Sequence, residues 1–156
     1  MELLSMYDGI LGGLGLPEIL LVSMFFFLPL CILPMIFFLM TMQKALQRCS
    51  RHNRAMDPSQ VWLMLIPVFN LVWQFIVVNN VATSLGNEFR SRNIQKEPEP
   101  GKSLGMAFCI LSICSIIPIL GVFTAIAALI CWIMYWSKIS GYSYELAELH
   151  AQDHQD

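Results

Sequence analysis

The chain has 156 residues, of which 56% are hydrophobic and 13% charged, with a formal net charge of −2 and a mean hydropathy of +0.62. A soluble domain carries about a quarter charged residues, so a chain this apolar excludes an ordinary water-soluble globule. The small net charge, with basic residues in short clusters, excludes a nucleic-acid-binding surface.

Residues 1–17 contain Glu2 and Asp8 but no Lys or Arg, and end in a Gly9, Gly12, Gly13, Gly15 cluster before Pro17. A cleaved signal begins with a basic region, so none is expected, and the segment reads as an interfacial lead-in. The glycines have no strand before them and no lysine, so they do not form a phosphate loop. From Ile19 to Gln43 no charged or histidine residue occurs. That exceeds the roughly 20 residues a helix needs to cross a bilayer and predicts a first transmembrane helix, kinked at Pro29 and Pro34. Lys44, Arg48, Arg51, His52 and Arg54 follow directly. The positive-inside rule puts this cluster in the cytoplasm and the N-terminus outside. Lys44, Arg48, Arg51 and Arg54 are also candidates for binding anionic lipid headgroups.

The second uncharged stretch, Val61 to Asn87, opens after Asp57-Pro58, an expected N-cap with proline at the first helical position. Another positive cluster, Arg90, Arg92 and Lys96, closes it. Positive charge on both flanks predicts a helical hairpin over Val61–Asn79 that enters and returns around Pro67–Asn70; a single span over Val61–Val78 is the alternative. From Leu71 to Arg92 apolar residues recur every three or four positions, predicting an amphipathic interfacial helix. Its stripe ends at Leu85 and Phe89, a candidate interaction surface for a second copy or another membrane protein. Asn70 and Gln74, one helical turn apart, form a candidate intramembrane polar face.

A short polar loop over residues 93–102 leads to the third uncharged stretch, Ser103 to Ser137. One helix of that length would be about 52 Å, too long for a bilayer, so the sequence predicts a second hairpin over Ser103–Lys138. Its reversal falls at Pro118–Gly121, where Gly121 is expected to supply a positive φ. Trp132, Tyr135, Trp136 and Lys138 are expected as an interfacial belt. Ile66-Pro67 and Ile117-Pro118 open similar seven-residue patterns, a weak sign of duplication. Residues 142–156 read as a polar tail, in which His150 and His154 have zinc-compatible spacing but no metal site is expected.

Arg51-His52-Asn53-Arg54-Ala55-Met56, then Val61-Trp62, then Ile66-Pro67-Val68-Phe69-Asn70-Leu71-Val72-Trp73, resembles a bacterial domain of unknown function found in small multi-span membrane proteins. The resemblance covers about residues 45–140. It departs where Gln74-Phe75 replaces the second proline that often follows the tryptophan. It implies a bacterial inner-membrane location and no particular activity.

The expectation is therefore a single all-α integral membrane domain: one kinked transmembrane helix, two hairpins and an amphipathic helix, with both long loops and the C-terminus cytoplasmic. No uncharged stretch holds a carboxylate or histidine, so acid-base catalysis lacks its parts and no enzyme activity or cofactor is expected. All five cysteines read as small hydrophobes. The expected role is a non-catalytic accessory or interaction module, in contact with the lipid bilayer and with a second copy or another membrane protein. The alternative is a small transporter or channel subunit using Asn70 and Gln74.

Overall fold

A computed structural model describes residues 15–117 and 121–153. Among these residues the regular structure is entirely helical. The helices are α1 (Leu16–Arg48), α2 (Pro67–Ser91), α3 (Lys102–Cys114) and α4 (Gly121–Asp153), with 3-10 helices at Arg51–Asn53 and Pro58–Leu65. Two of them, over Val68–Ser91 and Gly121–Gln152, are long and apolar enough to cross a membrane. The chain divides into two compact units, Met1–Phe37 and Phe38–Asp156. The described part of the first is the start of α1, where Glu18 accepts a hydrogen bond from the Gly15 N–H at 2.6 Å, the return half of a capping box. Ile19, Leu21, Val22, Phe25, Ile32 and Leu33 are exposed along it.

The second unit is built on a chain reversal at Ile66. Proline restricts the residue before it to extended backbone, and Ile66 has φ −83° and ψ 109°. Pro67 itself then occupies the first turn of α2, where its missing N–H costs nothing. The reversal thus precedes Pro67–Asn70, which is helical, contrary to the expected break there: at this position proline starts a helix. The arm leading to Ile66 is the 3-10 helix Pro58–Leu65, about 16 Å long at 2.0 Å per residue, in place of an α-helical arm. Hydrogen bonds fix its antiparallel course along α2. The Ala55 N–H donates to Ser84 Oγ at 2.9 Å, and farther toward the turn Trp73 Nε1 donates to the Gln60 carbonyl at 2.9 Å. Trp62 Nε1 ties the arm to Gln43 Oε1 on α1, also at 2.9 Å. The amphipathic segment is no separate element, because α2 runs unbroken to Ser91.

Helix α2 stops in a Schellman motif, with Asn93 left-handed at φ 57°, its N–H bonded to the Arg90 carbonyl and the Ile94 N–H to that of Phe89. Gly101, at φ 78°, opens α3. Gly105 on α3 is buried where a Cβ would lie 2.5 Å from Val78 Cγ1 and 2.9 Å from Tyr135 Cε2, so its hydrogen lets α3 pack against α2 and α4. The second hairpin, α3 with α4, matches the expected pairing. Its turn residues Pro118–Leu120 lie outside the described residues. Gly121 is the first residue of α4, and among the described residues Gly101 is the only glycine with positive φ. Helix α4 continues to Asp153, so most of the expected tail is helix, with Ser143 and Leu146 buried. Tyr135 is wholly buried and belongs to the core, outside any surface belt; its ring lies 6.1 Å from that of Phe38.

Exposure in this unit is polarised. Leu63, Leu65, Ile66, Val68, Phe69, Leu71, Val72 and Ile76 are exposed around the first reversal. Ile110, Ile113, Ile116, Ile117, Val122 and Phe123, with Ile126, Leu129, Ile130, Ile133 and Met134 farther along α4, are exposed around the second. Beyond them the core closes over Leu46, Met56, Val81, Leu85, Phe89, Ile139 and Leu146. Only 17% of the most apolar stretch of α4 is buried within the chain, whereas the core helix of a soluble protein is mostly buried.

Candidate functional site

The packed end of the second unit centres on Glu88, which is 1% exposed. Its carboxylate accepts from the Ser50 N–H (2.8 Å) and Ser50 Oγ (3.2 Å), from Asn53 Nδ2 (2.8 Å) and from Arg92 Nε (3.0 Å). Four donors around two oxygens suit an ionised carboxylate. Asn53 Nδ2 also reaches Ser91 Oγ at 3.0 Å, which joins the loop after α1 to the end of α2. Arg92 extends the network to α4, with Nη2 3.1 Å from His150 Nε2. His150 Nδ1 lies 2.7 Å from the Leu146 carbonyl, which only accepts, so the proton sits on Nδ1 and Nε2 accepts from Arg92. Nearby, Arg48 Nη1 donates to both Oγ and the carbonyl of Ser143 at 2.6 Å. Every link here is a positioning contact. Together they tie α1, the following loop, α2 and α4 at one end.

Cys49 sits inside this end. Burial, and after it the negative charge of Glu88, pushes its thiol up to about 12. In the folded chain at pH 8 Cys49 should therefore resist a maleimide that modifies it after unfolding, as a mass shift would show.

The residues singled out from sequence fall into three groups. Leu85 and Phe89 are buried, and Phe89 packs edge-on against Tyr142 at 5.6 Å. The stripe expected to await a partner is thus buried within the chain itself, with Tyr142 of the long helix α4 reaching Phe89. Gln74 is also buried, while Asn70 is half-buried with Oδ1 sealed from solvent and without a hydrogen bond. Of the four basic candidates, Lys44 and Arg51 are exposed, Arg48 is held by Ser143, and Arg54 donates to the carbonyls of Cys49 and Gln47 at 2.8 Å.

Charge is segregated on this end. Lys96, Lys102 and Lys138 pair with Glu145, Glu99 and Glu97, and Arg92 with Glu88. Among the described residues, Lys44, Arg48, Arg51 and Arg54 have no carboxylate within ion-pair distance, so the basic character of the 44–54 segment survives folding. Reading the sequence missed Glu88, Asn53, Ser143 and His150 as a connected group. The spacing of Glu88 and Arg92, four apart on one helix, was the available signal. Among the described residues no group of three or more His, Cys, Asp or Glu side chains is placed to hold a metal ion. His154 lies outside the described residues.

No family model, curated protein or solved structure matches this chain. The functional reading therefore rests on the site itself.

Proposed function

We propose that this chain is a non-catalytic integral membrane module that carries a folded headpiece on one side of the bilayer and serves as an accessory part of a membrane assembly. The observation that carries the reading is the polarised exposure: apolar side chains crowd both reversals, while the ion pairs and the Glu88 network occupy the opposite end. In water the first end would be an aggregation surface; in hydrocarbon it is correctly solvated. In this reading α1 crosses the bilayer and the hairpins at Ile66 and at residues 115–121 enter from the headpiece side without emerging. Helix α3 has 13 residues, about 20 Å, which is too short to span alone. The basic 44–54 segment supports a topology with the headpiece and both loops in the cytoplasm and the N-terminus outside, in the bacterial inner membrane that the resemblance implies.

Single cysteines at the exposed positions His52 and Gln95, in a cysteine-free background, test the topology. Both should be shielded from an impermeant thiol reagent in intact cells and react after permeabilisation. Labelling of one site alone in intact cells would replace the first hairpin with a single span. A second reading, a small transporter or channel subunit, draws on the unpartnered Asn70 Oδ1 beside Gln74 in the apolar half. Solute flux in proteoliposomes that is abolished by Asn70→Leu would favour it.

A further inference from the structure

Beside Arg54 an open cleft of about 500 Å³ is lined by Arg51, Arg54, Ala55, Met56 and Asp57. Arg54 is pre-organised. Two of the five N–H donors of its guanidinium are spent on the Gln47 and Cys49 carbonyls at the end of α1, which fixes the plane of the group and leaves three donors. Arg51 is exposed, with no carboxylate within ion-pair distance among the described residues. Asp57 stands at the N-cap position of the Pro58–Leu65 helix, where a carboxylate ordinarily bonds the first N–H groups, yet its side chain makes no capping bond. The cleft thus offers two guanidiniums and one uncommitted carboxylate. A plain anion would be attracted by the first two and repelled by the third.

The geometry points to a phospholipid headgroup that carries an ammonium next to its phosphate, a phosphoethanolamine, as the occupant of this cleft. The phosphate is held by Arg51 and the remaining donors of Arg54, for which the planar guanidinium fork is suited. The primary ammonium, with three N–H donors, reaches Asp57. A trimethylated headgroup has no N–H to give, and a headgroup with no cation leaves Asp57 facing a phosphate. The inference rests on the proposed membrane insertion, since the acyl chains need the apolar surface around Leu63, Leu65 and Ile66.

Native mass spectrometry of the full chain in detergent, titrated with phosphatidylethanolamine, phosphatidylglycerol and phosphatidylcholine in turn, tests it. The ethanolamine lipid should be retained at least threefold better than the choline lipid. Arg51→Gln should lower retention of both the ethanolamine and glycerol lipids, while Asp57→Asn should cut the ethanolamine-to-glycerol ratio about threefold, the scale of one exposed ion pair. Arg51 makes no hydrogen bond that the fold depends on, so an unchanged melt of Arg51→Gln separates lost binding from lost folding. Equal retention of ethanolamine and choline lipids by the wild type, or an unaltered ratio in Asp57→Asn, would overturn the assignment. Displacement of the lipid by millimolar inorganic phosphate would make the site one for free phosphate and would overturn it equally. Recovery of the chain in the alkali-washed membrane fraction is scored separately, so failed lipid selectivity is distinguishable from failed insertion.

Discussion

Replacing Glu88 with Gln should destabilise the folded chain by about 3 kcal/mol, the cost of removing one partner from a buried ion pair. The carboxylate takes four hydrogen bonds from three residues, and an amide in the same place turns its NH2 group toward donors. Whichever way the amide is turned, either Arg92 and Ser50 Oγ, or the Ser50 N–H and Asn53 Nδ2, lose an acceptor. Because Arg92 also reaches His150, the damage extends from α2 to α4. Thermal melts in mild detergent measure the effect, with Glu97→Gln as the control. Glu97 pairs with Lys138 on the surface, where a salt bridge contributes little, so that variant should melt close to the wild type. Equal melting of the two variants would show that the Glu88 network is not what closes the headpiece.

Gly105→Leu should be worse tolerated than Gly121→Leu. The first carbon added at Gly105 already meets Val78 and the buried Tyr135 ring, and Tyr135 is backed by Phe38. No flexible side-chain end is there to yield, so α3 has to move away from α2 and α4 together, at about 3 kcal/mol or more. At Gly121 the added carbon meets the Ser115 carbonyl at 2.8 Å, which is also close. That carbonyl belongs to the hairpin turn beside the exposed Ile116 and Ile117, and a shift there disturbs one connection without opening the core. Monodispersity and melting temperature in detergent rank the pair. A lower melt for Gly121→Leu would show that the close approach to the Ser115 carbonyl constrains the fold more than the packing at Gly105.

That reversal illustrates what a sequence does and does not disclose. The uncharged stretches, the basic flanks and the pairing of α3 with α4 were legible because hydrophobic length and charge leave few ways to fold. The first reversal is legible in the sequence, but it falls at Ile66, before the Pro67–Asn70 break that the sequence predicts, because proline is at home at a helix start. Leu85 and Phe89 look from sequence as if they await a partner because Phe89 is covered by Tyr142, which lies in a segment that looks like a polar tail when hydropathy is averaged over a window. The Glu88 network was opaque for a related reason. Its members are ordinary polar residues until chain segments 35 to 58 positions apart are brought together.

The bond from Arg48 to Ser143 joins residues 95 positions apart. Such a contact closes a long loop of chain, whose entropy has to be overcome before the contact gives anything back. Synthesis presents Arg48 and then Phe89 long before Ser143 and Leu146, so during translation the hairpin at Ile66 forms while the surface that α4 will cover is still bare. The end that holds the Glu88 network is thus the last part of this protein to become native, and the interval before α4 arrives is when a chaperone or a protease would find it.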